Sequence, residues 1–362
     1  MVTIGRVGWV DEELLDASAI SFSRQVDGPG QLVCTVPHDD LYDRGYDVRP
    51  GDRPIKGSWI RIEHPTAGTW AGVVTQTRVD GAWVELTAES FHVLLRKRRV
   101  PTDYVVAGVP AGSVALRAFT DVQRIDYTWV ASASADEDGD PIEIELRGGD
   151  LADDVFRELA DASGMQWRVT PERVLEWRHR LGTDKRGTVT LVEGAQISGF
   201  DQTGDLWTMV NALTGTSSDD RWADTTAYEL DDEPSIRDYG RRYEELRAYP
   251  YATRSTIIPH VRTDLRRLRD PAQVIRLEVV DDGESWLDLR EGDLFTAILP
   301  SANAVVVVDV MAQDFDLDRG VMSVAGKIVA FESTDADTSI PDTTSGLLAF
   351  GSLAFGALTF GG

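Results

Sequence analysis

Apolar and polar positions alternate through both ends of this chain, whereas its middle follows a longer period. Near the start, Ser21-Phe22-Ser23-Arg24-Gln25-Val26 alternates, Asp27-Gly28-Pro29-Gly30 supplies turn residues, and Gln31 to Val36 alternates back. That pattern predicts a β-hairpin. After Arg49-Pro50-Gly51-Asp52 come the alternating run Trp59-Ile60-Arg61-Ile62-Glu63 and a strand through Gly72-Val73-Val74. A polar turn at Asp80-Gly81 and a strand through Trp83-Val84-Glu85-Leu86 follow. Near the end the same order recurs: Arg290-Glu291-Gly292-Asp293, Leu294 to Ile298, Val305 to Val310, a turn at Asp318-Arg319-Gly320, and Val321 to Phe331. A period of two places every second side chain on one face of a sheet. The repeated order predicts a duplicated β unit, so that three chains could present six similar blocks to a ring.

Between the two units, Ser113 to Phe119 reads as a short helix. Leu151, Val155, Phe156 and Leu159 form one apolar stripe of a helix predicted over Leu151 to Ala162, with Asp150 as its N-cap and Gly164 as its stop. Strands Met165 to Val169 and Val174 to Trp177 follow, split by Thr170-Pro171-Glu172-Arg173. From about Thr188 the pattern returns to β. It is interrupted around residues 233–271 by a polar stretch carrying a helix that begins at Pro259, with Leu265 and Leu268 inward. The expected domains are residues 1–99, a first β domain; 100–187, a small α/β module; 188–331, a second β domain with the helical insertion; and 332–345, a linker rich in Ser, Thr, Asp and Pro. Residues 346–362 carry Leu-X-Phe-Gly three times at five-residue spacing. Leu348, Phe350, Leu353, Phe355, Leu358 and Phe360 are thereby candidates for partner docking, since apolar side chains repeated along an exposed segment are aggregation-prone without a partner.

Charge changes the picture most. Acidic residues outnumber basic ones by 61 to 36, a net charge of −25, which repels nucleic acid phosphates and anionic membranes. No specific nucleic-acid binding is expected. The basic cluster Arg96-Lys97-Arg98-Arg99 that closes the first unit suits either an acidic neighbour or solvent. Cys34 is the one cysteine, so no intrachain disulfide forms, and its apolar run predicts a buried core position. The sequence has no secretion-signal pattern at its start and no window of about 18 apolar residues, so synthesis and folding in a cytoplasm are expected.

Candidate chemistry is sparse. His38, His64, His92, His179 and His260 show no paired zinc spacing, and there is no Gly-rich phosphate loop and no Gly-X-Ser-X-Gly elbow. Asp314, Asp316 and Asp318 alternate ahead of Gly320, but the glycine falls one position late for a calcium loop and Ala325 stands where its last carboxylate belongs. Those acids read as the solvent face of a strand, and Asp136, Asp138 and Asp140 as a solvated loop. No metal, cofactor or catalytic residue is expected. Trp59, Trp70 and Trp83 are candidates for a receptor-binding groove, although their strand positions point to the core.

The segment from Glu233 to Pro300 resembles a pattern of the tail hub proteins of tailed bacteriophages. That family takes in the N-terminal hub region of tail-associated lysins and the baseplate hub of contractile tails. Ser235-Ile236, Tyr239-Gly240-Arg241-Arg242, a helix ending in Arg269-Asp270-Pro271, the strand Val274 to Val279 and Leu289-Arg290-Glu291-Gly292-Asp293 carry the resemblance. Asp205-Leu206-Trp207-Thr208-Met209-Val210-Asn211 looks like the strand leading into that region. Gly28-Pro29-Gly30, Arg49-Pro50-Gly51-Asp52 and Glu89-Ser90-Phe91 up to Arg98-Arg99-Val100 fit the family's opening domain.

The resemblance implies a mainly β fold with α+β insertions, in which two tail-tube-like β-barrel or sandwich domains accompany the small α/β module. It implies a homotrimer whose six β domains form a pseudo-sixfold ring, a channel for DNA. Its partners would be tail tube or distal tail proteins and the tape measure protein on one side, and tip, spike or receptor-binding proteins on the other. The C-terminal repeat would dock to a tip protein or within the trimer. Docking is preferred to membrane contact because residues 346–362 contain no basic residue. Lysins continue into a hydrolase domain and this sequence does not, so cell-wall cleavage is not expected. The rival readings are a peptidoglycan- or carbohydrate-active β-protein and a receptor-binding module.

Overall fold

The computed structural model describes residues 1–5, 13–44, 46, 57–125, 129–139, 141–146, 148–205, 209–217, 226–249, 257–269, 272–284, 286 and 289–333. Seven strands open it: β1 (Val2–Gly5), β2 (Glu13–Leu15), β3 (Ser18–Gln25), β4 (Gln31–Pro37), β5 (Trp59–His64), β6 (Gly68–Asp80) and β7 (Trp83–Ser90), with short helices α1 (His38–Asp43) and α2 (Val93–Arg96). The middle carries β8 (Tyr104–Pro110), α3 (Ala111–Ile125), β9 (Ser132–Ala135), β10 (Pro141–Leu146), α4 (Ala152–Ser163), β11 (Gln166–Val169) and β12 (Val174–Arg178). Then come β13 (Thr190–Val192), β14 (Ile197–Asp205), β15 (Ala212–Ser217), β16 (Thr226–Asp231), α5 (Glu233–Tyr239), β17 (Glu244–Tyr249) and α6 (Ile257–Leu268). The last strands are β18 (Ala272–Val280), β19 (Leu294–Leu299), β20 (Ala304–Asp316) and β21 (Val321–Ser333). The chain is mainly β with α+β additions, as its alternation predicts.

The two β units share one topology. Pairing runs β3-β4-β7-β6-β5 in the first and β14-β18-β21-β20-β19 in the second, so each strand has a counterpart. An irregularity is shared as well. The β6–β7 ladder shifts register between Val74 and Gln76, and the β20–β21 ladder between Val310 and Ala312. A bulge needs an extra residue at a set place in the ladder, so its recurrence aligns the two units residue by residue. Gln76 and Asp80 pair with Thr87 and Trp83, where Ala312 and Asp316 pair with Ala325 and Val321. Residues 76–80 are thus the counterparts of 312–316. Counting from β4 and β18 in the same way makes residues 201–205 of β14 the counterparts of 21–25 of β3.

The units do not stand apart as two closed barrels. β20 pairs antiparallel with β3, from Ala312↔Gln25 to Asp316↔Ser21, and fuses both into one sheet of thirteen strands. The path is open, with β14 at one end and β2 at the other. One hydrophobic cluster crosses the junction. It includes Leu32, Cys34, Ile60 and Leu86 from the first unit and Leu277, Phe295, Val306 and Val324 from the second.

A second cluster gathers α3, α4, β11 and β12 around Phe156, Trp167 and Trp177, and covers the outward side chains Ala71 and Val73 of β6. A third packs α6, through Ile257, Val261 and Leu265, on the small sheet β16-β15-β17. The polar stretch expected to be helical therefore carries strands of its own as well.

Three helix expectations need correction. The first middle helix runs from Ala111 to Ile125, well beyond Ser113 to Phe119. Val114, Ala115, Ala118, Phe119 and Val122 are all buried, and Thr120, just past the expected limit, lies on the exposed face of the continuing helix. The N-cap of α4 is Leu151 and not Asp150, with no side-chain cap bond. Leu151 forms a β-bridge with Arg99, which holds it extended ahead of the helix. Gly164 does close α4 in the left-handed region at φ 70°, donating its N–H to the Ala160 carbonyl. Helix α6 starts at Ile257, so Pro259 sits inside its first turn, where a missing N–H breaks no helical bond.

Candidate assembly interface

The seam between β20 and β3 is clamped by aromatic side chains. Both strands point every second residue inward, so Phe22 lands opposite Phe315, and the rings stack at 4.7 Å. Trp286 meets Phe315 edge-on at 5.4 Å, and Trp70 lies 6.5 Å from Phe22. Phe22 is 3% exposed and Phe315 1%, so the seam is dry. Arg24, next inward on β3, lays its guanidinium over both rings at 5.4 and 5.2 Å and donates to the Ala67 and Thr69 carbonyls. Burial pulls its pKa down to about 10, with Glu291 opposing that shift and Arg290 and Arg168 reinforcing it. Backbone bonds flank the clamp, from Val26 N–H to Met311 O at 2.9 Å and from Leu317 N–H to Ile20 O at 3.1 Å.

The Arg-Glu-Gly-Asp turn before β19 has a structural task that its sequence did not disclose. Asp293 is 2% exposed; it accepts bonds from the Thr183 and Arg290 N–H groups, both at 2.7 Å, and pairs with Lys185 at 2.8 Å. Glu291 accepts from Arg168 at 2.5 Å, and Arg168 also holds Glu176. Arg180 bridges the Gly292 carbonyl and Asp309. Gly182 packs against the Gly292 backbone, where a Cβ would come within 2.1 Å. These bonds tie β11, β12 and the segment after them to the second unit. A bond from Trp167 N–H to Asp27 ties β11 to the β3–β4 turn. A cleft of about 410 Å³ lies where the three parts meet, lined by Arg24, Arg168, Arg290, His92 and Glu291 among others.

The strand edges without a strand partner among the described residues include two that bear on assembly, on β14 and on the second half of β6. Apart from a single bridge between Ile197 and Glu193, β14 pairs only with β18, and β6 beyond Val74 pairs only with β7. They are the counterparts of the two edges that meet in the seam. Val79, the counterpart of Phe315, is 52% exposed, and Gln202, the counterpart of Phe22, is exposed.

The expected site residues divide accordingly. Leu348, Phe350, Leu353, Phe355, Leu358 and Phe360 lie outside the described residues, as does Asp140. Of the three tryptophans, Trp70 is 2% exposed and Trp59 is partly buried, but Trp83 is 47% exposed beside the open β6 edge, contrary to the core expectation. Alternation placed Trp83 on a face without revealing that the described residues leave about half of it exposed. Cys34 is fully buried, and burial raises its thiol to about 12. Asp314 lies on the exposed face of β20, where partial desolvation by its neighbours raises its carboxyl and Arg276 opposes that shift. No group of three or more His, Cys, Asp or Glu able to hold a metal ion occurs among the described residues.

No protein-family model matches the chain, and no curated protein matches it in sequence. Solved structures do. A tail protein from Neisseria meningitidis MC58 superposes with a TM-score of 0.63 at 12% identity, over 91% of this chain and 96% of that one. The prophage tail protein gp18 from Listeria monocytogenes EGD-e gives 0.62 at 12% identity, over 90% and 94%. The fold is that of phage tail proteins. The 43 kDa tail protein of prophage MuSo2 from Shewanella oneidensis, at 0.62 and 11% identity over 90% and 98%, has this tail-protein fold too. The likeness spans nearly all of each chain, so it includes the α/β parts as well as the fused sheet.

Proposed function

We propose that the chain is a structural protein of a phage virion, a trimeric tail hub. The seam carries this reading. One chain already joins two equivalent β units edge to edge and leaves the same two kinds of edge open, on β14 at one end of the sheet and on the second half of β6. Repeating that contact between chains is head-to-tail association, which closes into a ring when the rotation allows. Three chains then set six equivalent units around one axis, with seams and joints in alternation.

Such a ring fits between the sixfold tail tube or distal tail ring and threefold tip, spike or receptor-binding proteins. It stands next to the tape measure protein and surrounds a channel for DNA. A net charge of −25 suits a surface past which DNA slides without sticking. The protein is assembled in the host cytoplasm, resides at the tail tip, and works by shape and not by catalysis. Its Leu-X-Phe-Gly segment docks a further tip component through Leu348, Phe350, Leu353, Phe355, Leu358 and Phe360.

Light scattering over a concentration series tests the ring. The mass should rise toward three times 39.9 kDa, and images of that species should show a central opening. A mass fixed at one chain at the highest concentration, together with absence of the labelled chain from tail tips, overturns the reading.

A further inference from the structure

We infer that the exposed half of β6 and the edge of β14 that has no strand partner among the described residues are the two sides of the joint between copies, paired in the register of the internal seam, and that this joint is the weaker of the two. The inference rests on the hub reading above, and its occupant is a second copy of this chain. Its ground is continuity: residues 76–80 and 201–205 are the counterparts of 312–316 and 21–25, which already pair inside one chain.

Carrying the seam register over sets Val79 opposite Gln202 and Thr77 opposite Gly204 on the inward face, and Arg78 opposite Thr203 on the outward face. A one-residue slip would exchange those faces, so the register is tightly specified. The inward pairs explain the difference in strength. Where the seam buries Phe22 on Phe315 under the Arg24 guanidinium, the joint brings together a valine, a glutamine, a threonine and a glycine. Asp80 faces Asp201 where Asp316 faces Ser21 in the seam. Like charges directly opposite destabilise a ladder, though Arg78, diagonal to Asp201, offsets part of the repulsion. Main-chain bonds supply the attraction, as in strand addition generally, with little side-chain burial to reinforce them. The ring therefore opens on dilution, while the seam within each chain holds.

The test uses full-length protein. In Arg78→Cys/Thr203→Cys both thiols replace exposed outward side chains, so oxidation at high concentration should yield covalent trimers on a non-reducing gel. The slipped pair Arg78→Cys/Gln202→Cys should yield none. Val79→Phe/Gln202→Phe transplants the seam's aromatic pair and should lower the concentration for half-trimerisation at least tenfold, with either single change close to wild type. Cross-linking by the slipped pair in place of the aligned one overturns the register. A wild-type trimer that survives dilution as well as the double-Phe variant does overturns the weak joint. No cross-link in particles that image with three copies of the chain overturns the joint but leaves the hub, whereas tails lacking the chain overturn the hub.

Discussion

Phe315 and Val79 occupy equivalent places in two copies of one β unit, yet the first is buried in the seam and the second is largely exposed. Truncating them should differ accordingly. Phe315→Ala removes a stacked, fully buried ring and should cost about 3–5 kcal/mol in urea unfolding, whereas Val79→Ala in dilute protein should stay within about 0.5 kcal/mol. His92 is a second case of environment deciding chemistry. Burial against Trp167 holds its pKa down to about 3, and Arg157 and Arg96 push the same way. The unfolded chain takes up that proton near pH 6.5, so the contribution is intact above that value and shrinks as pH falls toward 3. Glu158 works in the opposite direction. Burial, then Asp150 and Asp161, raise its carboxyl to about 8, so its contribution is full below 4.5 and is lost as pH rises through 8. Urea midpoints should show His92→Gln losing less stability than wild type between about pH 7 and about pH 5, and Glu158→Gln losing less between about pH 6 and about pH 8.5. Identical slopes for variant and parent would contradict either assignment.

At the scale of elements, the strands were largely legible because alternation reports burial of one face. β3, β4, β5, β7 and β19 lie where the pattern places them, and the Asp27-Gly28 turn joins β3 to β4 as expected. Helix limits were less legible. Leu151 is kept out of α4 by a bridge to Arg99, 52 residues away, and no local signal encodes that contact. The Gly182–Gly292 contact is equally silent in sequence. Gly182→Ala should force the two backbones apart and cost about 1–3 kcal/mol in thermal or urea unfolding. Gly187→Ala, where a Cβ meets nothing within 4 Å, is the matched control and should change little.

At the scale of the whole molecule, the arrangement is a strip of sheet that carries two complementary open edges, on β14 and on the second half of β6. Long unpaired edges invite pairing with another chain, a hazard that proteins usually blunt and that assemblies put to use. β14 keeps Gln202 and Thr203 exposed, and β6 keeps Gln76, Arg78 and Asp80 exposed, so the edges stay soluble until joined. Deleting residues 347–362 should leave trimer formation unchanged and strip one tip component from assembled particles, read by the protein content of purified tails. Particles that keep every component would assign the repeat another task.

The sequence by itself determined most strands of the two β units, the face that most of them bury, their repeated order and the acidic character, because those follow from side-chain periodicity and composition. It also placed Arg290-Glu291-Gly292-Asp293 directly ahead of the strand that became β19, but did not show that Asp293 and Glu291 are anchors for distant Arg and Lys side chains. Which edges meet was decided only in three dimensions. Any strand edge offers the same N–H and C=O groups, so local pattern does not distinguish β20 against β3 from β6 against β14. Chain connectivity and the Phe22–Phe315 clamp close the first contact within the molecule, and the second, built from polar counterparts, is left open.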